Sequence, residues 1–175
     1  MKQTIMVVDD SGLNLRVAMN MLKDHFEVIC ANSGPAAFTL LEKQIPDLML
    51  LDLHMPKMSG FEVIEKLKED EVYKEIPIIM LTADDNRETE VKGFQLGVMD
   101  FVTKPFIAEI LLQRVGRILE LTRLQKNLQH EVKIQTRVAE ERRRQVEQLS
   151  EEIMQTLTSF RCHIRKISIK SLYVK

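Results

Sequence analysis

Residues 5–12, Ile-Met-Val-Val-Asp-Asp-Ser-Gly, run four consecutive apolar side chains straight into two adjacent carboxylates. A short apolar run closed by a turn signal reads as a buried strand. A strand that ends in two like charges also needs something opposite them. Two carboxylates ~4 Å apart repel by roughly 4 kcal/mol at an effective dielectric of about 20. The rest of the chain has to supply a sheet that buries this strand and a counter-charge at its end.

The sheet is legible in the residues that follow. TIMVV (4–8), EVICA (27–31), DLMLL (47–51), IPIIML (76–81) and DFVT (100–103) read as strands. The third and fourth are apolar at consecutive positions, as strands covered on both faces should be. Between them LNLRVAMNMLK (13–23), PAAFTLLEK (35–43), FEVIEKLKE (61–69), ETEVKGFQLG (88–97) and FIAEILLQRV (106–115) carry helical spacing. Ser59-Gly-Phe-Glu62 and Asp85-Asn-Arg-Glu88 fit the capping-box pattern, and Ser33 or Gly34 precedes Pro35 in a first turn. Five βα units in series imply an α/β fold with a doubly wound, five-stranded parallel sheet, because each parallel return needs a crossover helix.

In such a sheet ligands bind beyond the carboxyl ends of the strands. There the first strand offers Asp9 and Asp10, the third Asp52, the fourth Thr82 and the fifth Lys104-Pro105. Each has an ordinary explanation. Asp-Asp before Ser11 can cap a helix, Asp52 can open a turn, Thr82 can be a strand residue, and Lys-Pro is common turn chemistry with a proline that can be cis. Their arrival in order on one rim is what those explanations do not predict. Three carboxylates beside a single ammonium leave the cluster negative. A divalent cation with hard oxygen preferences, Mg²⁺, completes the balance and neutralises an incoming phosphoryl group.

VVDDS, LLDLHMPKMSGFE, PIIMLTA and DFVTKPF together resemble the receiver domain of two-component response regulators, a CheY-like, flavodoxin-like module, over residues 1 to about 120. The resemblance implies that Asp52 accepts a phosphoryl group from the histidine of a sensor kinase. It implies Mg²⁺ held by Asp10, Asp52 and the backbone carbonyl of His54, with Asp9 acting mainly through water. Thr82 and Lys104 would grip the phosphoryl oxygens, and Phe101 would turn inward as Thr82 moves toward them. His54 and Asp84, each two residues past a site residue, would tune hydrolysis. The chemistry agrees: phosphoryl transfer asks for an in-line nucleophile and charge stabilisation, and an aspartyl phosphate is a known covalent intermediate.

Beyond this the composition changes. From Phe106 to Phe160 there is no proline and the only glycine is Gly116. Stepping alternately three and four residues from Ile118 gives Leu121, Gln125, Leu128, Val132, Gln135, Ala139, Arg142, Val146, Leu149, Ile153, Thr156 and Phe160. That period predicts a coiled coil continuous with the last receiver helix, with Leu121, Leu128, Val132, Val146, Leu149 and Ile153 as its core. The alternative is a solvated helix with pairs such as Glu140–Arg144. The organisation expected is a receiver at 1–120, a coil at 121–160 and a basic tail at 161–175. The stretch around LLQRVGRILELTRLQKNLQHEV is similar to linkers that precede HD-GYP-type phosphodiesterase domains, but SFRCHIRKISIKSLYVK lacks their His-Asp motif and reads as the end of a shortened chain.

Other signals narrow the class. The formal charge is −1, with five basic and no acidic residues in 161–175, so residues 1–160 are mildly acidic and show no nucleic-acid footprint. No helix-turn-helix follows the receiver, which weighs against direct DNA binding. His130-Glu131 lacks the continuation of a kinase phosphoacceptor and reads as a helix surface. The four histidines and two cysteines have no metal-ligand spacing, and Cys30 and Cys162 suit a reduced chain. The apolar run breaks at Asp9, too soon for a signal peptide, and no stretch approaches the roughly 20 residues of a membrane span. The expectation is a cytoplasmic, homodimeric response regulator, not an enzyme beyond its own phosphorylation and dephosphorylation. The alternative is a regulator of a cyclic-dinucleotide phosphodiesterase or cyclase without its catalytic domain.

Overall fold

The computed structural model describes residues 2–83 and 86–172, with side chains up to Arg161. Each apolar run forms a strand, and each amphipathic stretch returns the chain to the next one. The order is β1 (Thr4–Val8), α1 (Gly12–Leu22), β2 (Glu27–Ala31), α2 (Gly34–Leu41), β3 (Leu48–Asp52), α3 (Gly60–Glu69), β4 (Ile78–Thr82), α4 (Arg87–Gln95), β5 (Asp100–Thr103) and α5 (Ala108–Leu172). β3 and β4 run on into Asp52 and Thr82. β4 begins only at Ile78, because Pro77 has no N–H for the ladder, though its carbonyl still accepts from Met49 N at 2.9 Å.

The five strands are parallel in the order β2-β1-β3-β4-β5. The chain therefore winds one way from β1 to β2 and the other way from β3 onward, which opens a crevice beyond the carboxyl ends of β1 and β3. Alternation along the strands feeds two cores. Met6, Val8, Met49, Leu51, Ile78 and Met80 pack with α2 and α3. Ile5, Val7, Leu48, Leu50, Ile79 and Leu81 pack with α1 and the start of α5. Burying one such side chain is worth about 1.5–3 kcal/mol, so a register slip that turned a strand over would be heavily penalised.

Helix starts follow their chemistry. Ser33 caps α2, accepting from Ala36 N. Ser59 and Glu62 form the reciprocal capping box on α3. α4 departs from expectation: Asn86 is its cap, accepting from Glu88 N at 3.0 Å, one residue later than the Asp85 box, and Asp85 lies outside the described residues. An Asn side chain reaches the N2 amide by itself, so the shorter cap suffices.

The chain divides into two units, Met1–Leu124 and Gln125–Lys175. Ile118, the starting point of the heptad count, is buried with Leu111, Val115 and Leu119 against the sheet. These positions recur at three and four residues as any core-facing helix does, so the heptad phase has meaning only after them. In the second unit Leu128, Val132, Val146, Leu149 and Ile153 are exposed. Among the described residues its ion pairs are Arg137–Glu141 and Arg143–Glu147 rather than Glu140–Arg144. The expected basic tail at 161–175 continues α5 as far as Leu172, and its side chains beyond Arg161 lie outside what the structure describes.

Candidate phosphoryl-acceptor site

The site is assembled from strand ends. β1 delivers Asp9, whose N–H still bonds Ala31 O across to β2 at 3.1 Å, and then exposed Asp10. β3 ends on Asp52 and β4 on Thr82, both buried. Lys104 follows β5, held by its N–H to Thr82 O at 2.7 Å, and the Lys104–Pro105 peptide is cis. Oxygens of Asp9, Asp10 and Asp52 lie within 4.8 Å of one another, a set of hard donors that fits a divalent cation.

The counter-charge that β1 calls for is Lys104. Its ammonium lies 2.6 Å from Asp9 Oδ2 and 2.8 Å from Asp52 Oδ1. Burial nevertheless wins at Asp52: desolvation raises its carboxyl above the usual range, helped by the Asp9 charge and opposed by Lys104 and the His54 N–H. His54 N lies 3.4 Å from Asp52 Oδ1, while the His54 side chain is exposed. The cap of α1 is Ser11 rather than either carboxylate, and Asp9 Oδ1 instead accepts from Ser11 N at 2.9 Å.

Gly60 supports the acceptor from behind. A Cβ there would come within 2.5 Å of Asp52 O, and Gly60 N donates to Leu53 O at 2.9 Å. Only glycine lets the start of α3 approach the acceptor strand this closely. The turn between them is tight: Met58 N bonds Pro56 O around Lys57, which has a φ of 69°.

The Phe101 ring points inward, 8% exposed, edge-on to Phe94 with centroids 5.1 Å apart. Room for it comes from Gly93, where a Cβ would stand 2.4 Å from Phe101 Cζ. Asp84 lies outside the described residues. Leu121, the first of the expected coil residues, is exposed. Sequence reasoning missed Asn14, Gly60 and Gly93. Asn14 bonds Asp9 from the first turn of α1. No spacing rule marks any of the three, since each acts through a contact between separate elements.

Comparison with known proteins gives the arrangement its context. A family model described as "Response regulator receiver domain" matches residues 5–116. "Response regulator PleD" of Caulobacter vibrioides is 39% identical over 124 residues, 70% of this chain and 27% of that protein. A "probable cyclic di-GMP phosphodiesterase" of Vibrio cholerae is 40% identical over 117 residues, 67% of this chain and 26% of that protein. The chain thus spans about a quarter of the length of these curated relatives. Among solved structures, the Vibrio cholerae chemotaxis protein CheY4 superposes with a TM-score of 0.64 at 31% identity, over 67% of this chain and 98% of that one.

Proposed function

This chain belongs to the response regulator receiver domain family, and on that premise we propose that Asp52 accepts a phosphoryl group from a sensor histidine kinase. An Asp52 carboxylate oxygen attacks phosphorus in line; the bond to the kinase imidazole nitrogen breaks, and that nitrogen leaves with the electron pair. Asp10, Asp52 and the His54 carbonyl would hold Mg²⁺, with Asp9 behind them through water. When bound, that ion supplies charge neutralisation for the incoming phosphoryl oxygens. Lys104 exchanges its carboxylate partners for a phosphoryl oxygen, and Thr82 donates its hydroxyl to another. Phe101, seated against Gly93, occupies the aromatic switch position.

The observation that carries this reading is Lys104 bridging Asp9 and Asp52, a cation already placed where negative charge will grow. The output we propose is a homodimer through residues 121–160, in a cytoplasmic protein. The likeness to relatives covers their receiver part, so it supports phosphoryl acceptance rather than a cyclic-dinucleotide activity. The test is labelling with a small phosphodonor and Mg²⁺. Asp52→Asn is expected to abolish acid-labile, hydroxylamine-sensitive label, and Lys104→Ala to reduce it strongly with Mg²⁺ binding retained. Label persisting in Asp52→Asn protein overturns the assignment.

A further inference from the structure

Asn14 stands in the first turn of α1 with its side-chain amide turned onto the acidic cluster. Nδ2 lies 3.1 Å from each oxygen of Asp9. Asp9 is fully buried, and its carboxylate is surrounded by donors. Oδ1 takes the Ser11 N–H at 2.9 Å and the Asn14 amide; Oδ2 takes the Asn14 amide and the Lys104 ammonium at 2.6 Å.

These donors differ in what else is asked of them. The Ser11 N–H is fixed by the turn and reaches only Oδ1. Lys104 is shared with Asp52 at 2.8 Å, and phosphoryl transfer would draw it away from both carboxylates. Once Lys104 has left, Asn14 is the remaining donor to Oδ2 among the described residues. A buried carboxylate oxygen stripped of its donors is costly, and the side chain would turn to find others.

We propose that Asn14 is a positioning residue for the metal end of the site: it holds the Asp9 carboxylate in its orientation as the cation binds, and goes on holding it when Lys104 is recruited to the phosphoryl group. The acidic cluster then presents the same oxygens to a divalent cation throughout the transfer. This rests on the reading that Asp9, Asp10 and Asp52 bind Mg²⁺. A polar residue in a first helical turn usually serves the helix itself. Asn14 does not do so through its amide, which is aimed at Asp9 rather than at a neighbouring carbonyl.

The experiment uses the unphosphorylated full chain and titrates MgCl₂ by calorimetry in wild type, Asn14→Ala and Asn14→Leu. Leucine fills the volume of the amide without its donors, so a shared effect is not one of lost packing. Both variants are expected to bind Mg²⁺ about tenfold more weakly, the size of one hydrogen bond to a charged group. Labelling of Asp52 should need correspondingly more Mg²⁺ for half-saturation and recover its plateau rate at high Mg²⁺. A folded variant with wild-type Mg²⁺ affinity overturns the proposal. So does a lowered plateau with unchanged half-saturation, which would place Asn14 among the groups that grip the phosphoryl. Wild-type protein that binds no Mg²⁺ overturns the metal reading itself, whatever the variants do.

Discussion

Asp52 lies almost wholly out of solvent with Asp9 and Asp10 beside it, and one ammonium does not offset that burial. Its folded carboxyl therefore titrates above the unfolded value of about 3.9. Below that value both states are protonated and the residue carries no penalty. As pH rises through the raised folded value the charge develops and stability is lost, since the folded state had bound the proton more tightly. Asp52→Asn, in the absence of divalent cations, is thus expected to raise the thermal midpoint at pH 7 by a few degrees, the scale on which single substitutions act in a domain of roughly this size. The gain should vanish below about pH 4. A midpoint lowered at pH 7 would show that the Lys104 pairing outweighs desolvation. At this scale the candidate site was largely legible, because Asp9, Asp10, Asp52, Thr82 and Lys104 each end a strand that apolar runs mark. The burial that makes Asp52 costly was not, since it depends on what packs around the rim.

α4 and β5 meet through a contact that neither element announces. The Phe101 ring points its edge at the Gly93 backbone, with Phe94 alongside. Gly93→Ala favours the helix by about 0.8–1 kcal/mol in propensity, yet drives a methyl into the ring. Overpacking of this kind costs ~1–3 kcal/mol or moves the side chain. The expected outcome is an outward Phe101, seen by NMR as loss of contacts between its ring and Phe94. A double-mutant cycle checks the cause: the cost of Gly93→Ala should nearly disappear in a Phe101→Ala background. Equal costs in both backgrounds would mean the clash is relieved elsewhere. In sequence, Gly93 is only a weak point in a helical pattern. Its role comes from a strand residue eight positions later being folded back beside it. The same blindness explains α5, where one unbroken periodic pattern covers Ile118, buried in the first unit, and Leu128, exposed in the second.

Among the described residues the second unit has no core of its own. Leu128, Val132, Val146, Leu149 and Ile153 are exposed along it, and burying each such side chain is worth about 1.5–3 kcal/mol. Under the dimeric reading, the full chain should sediment as a dimer at tens of micromolar, and Leu128→Lys with Leu149→Lys should return it to monomer without loss of Asp52 labelling. A monomeric wild-type chain, or a dimer indifferent to both lysines, would remove the coiled coil. By itself the sequence determined the five parallel strands, their helices and the residues at the strand ends, because period-two and period-3.6 burial and helix caps are local rules that each segment obeys alone. Only the tertiary structure decided that Lys104 bridges Asp9 to Asp52, that Asn14 reaches Asp9, and that Gly93 and Gly60 make room for Phe101 and the acceptor strand. Those contacts join residues from different elements at distances of a few ångströms, and no periodicity along the chain encodes which side chains the folded sheet will bring face to face.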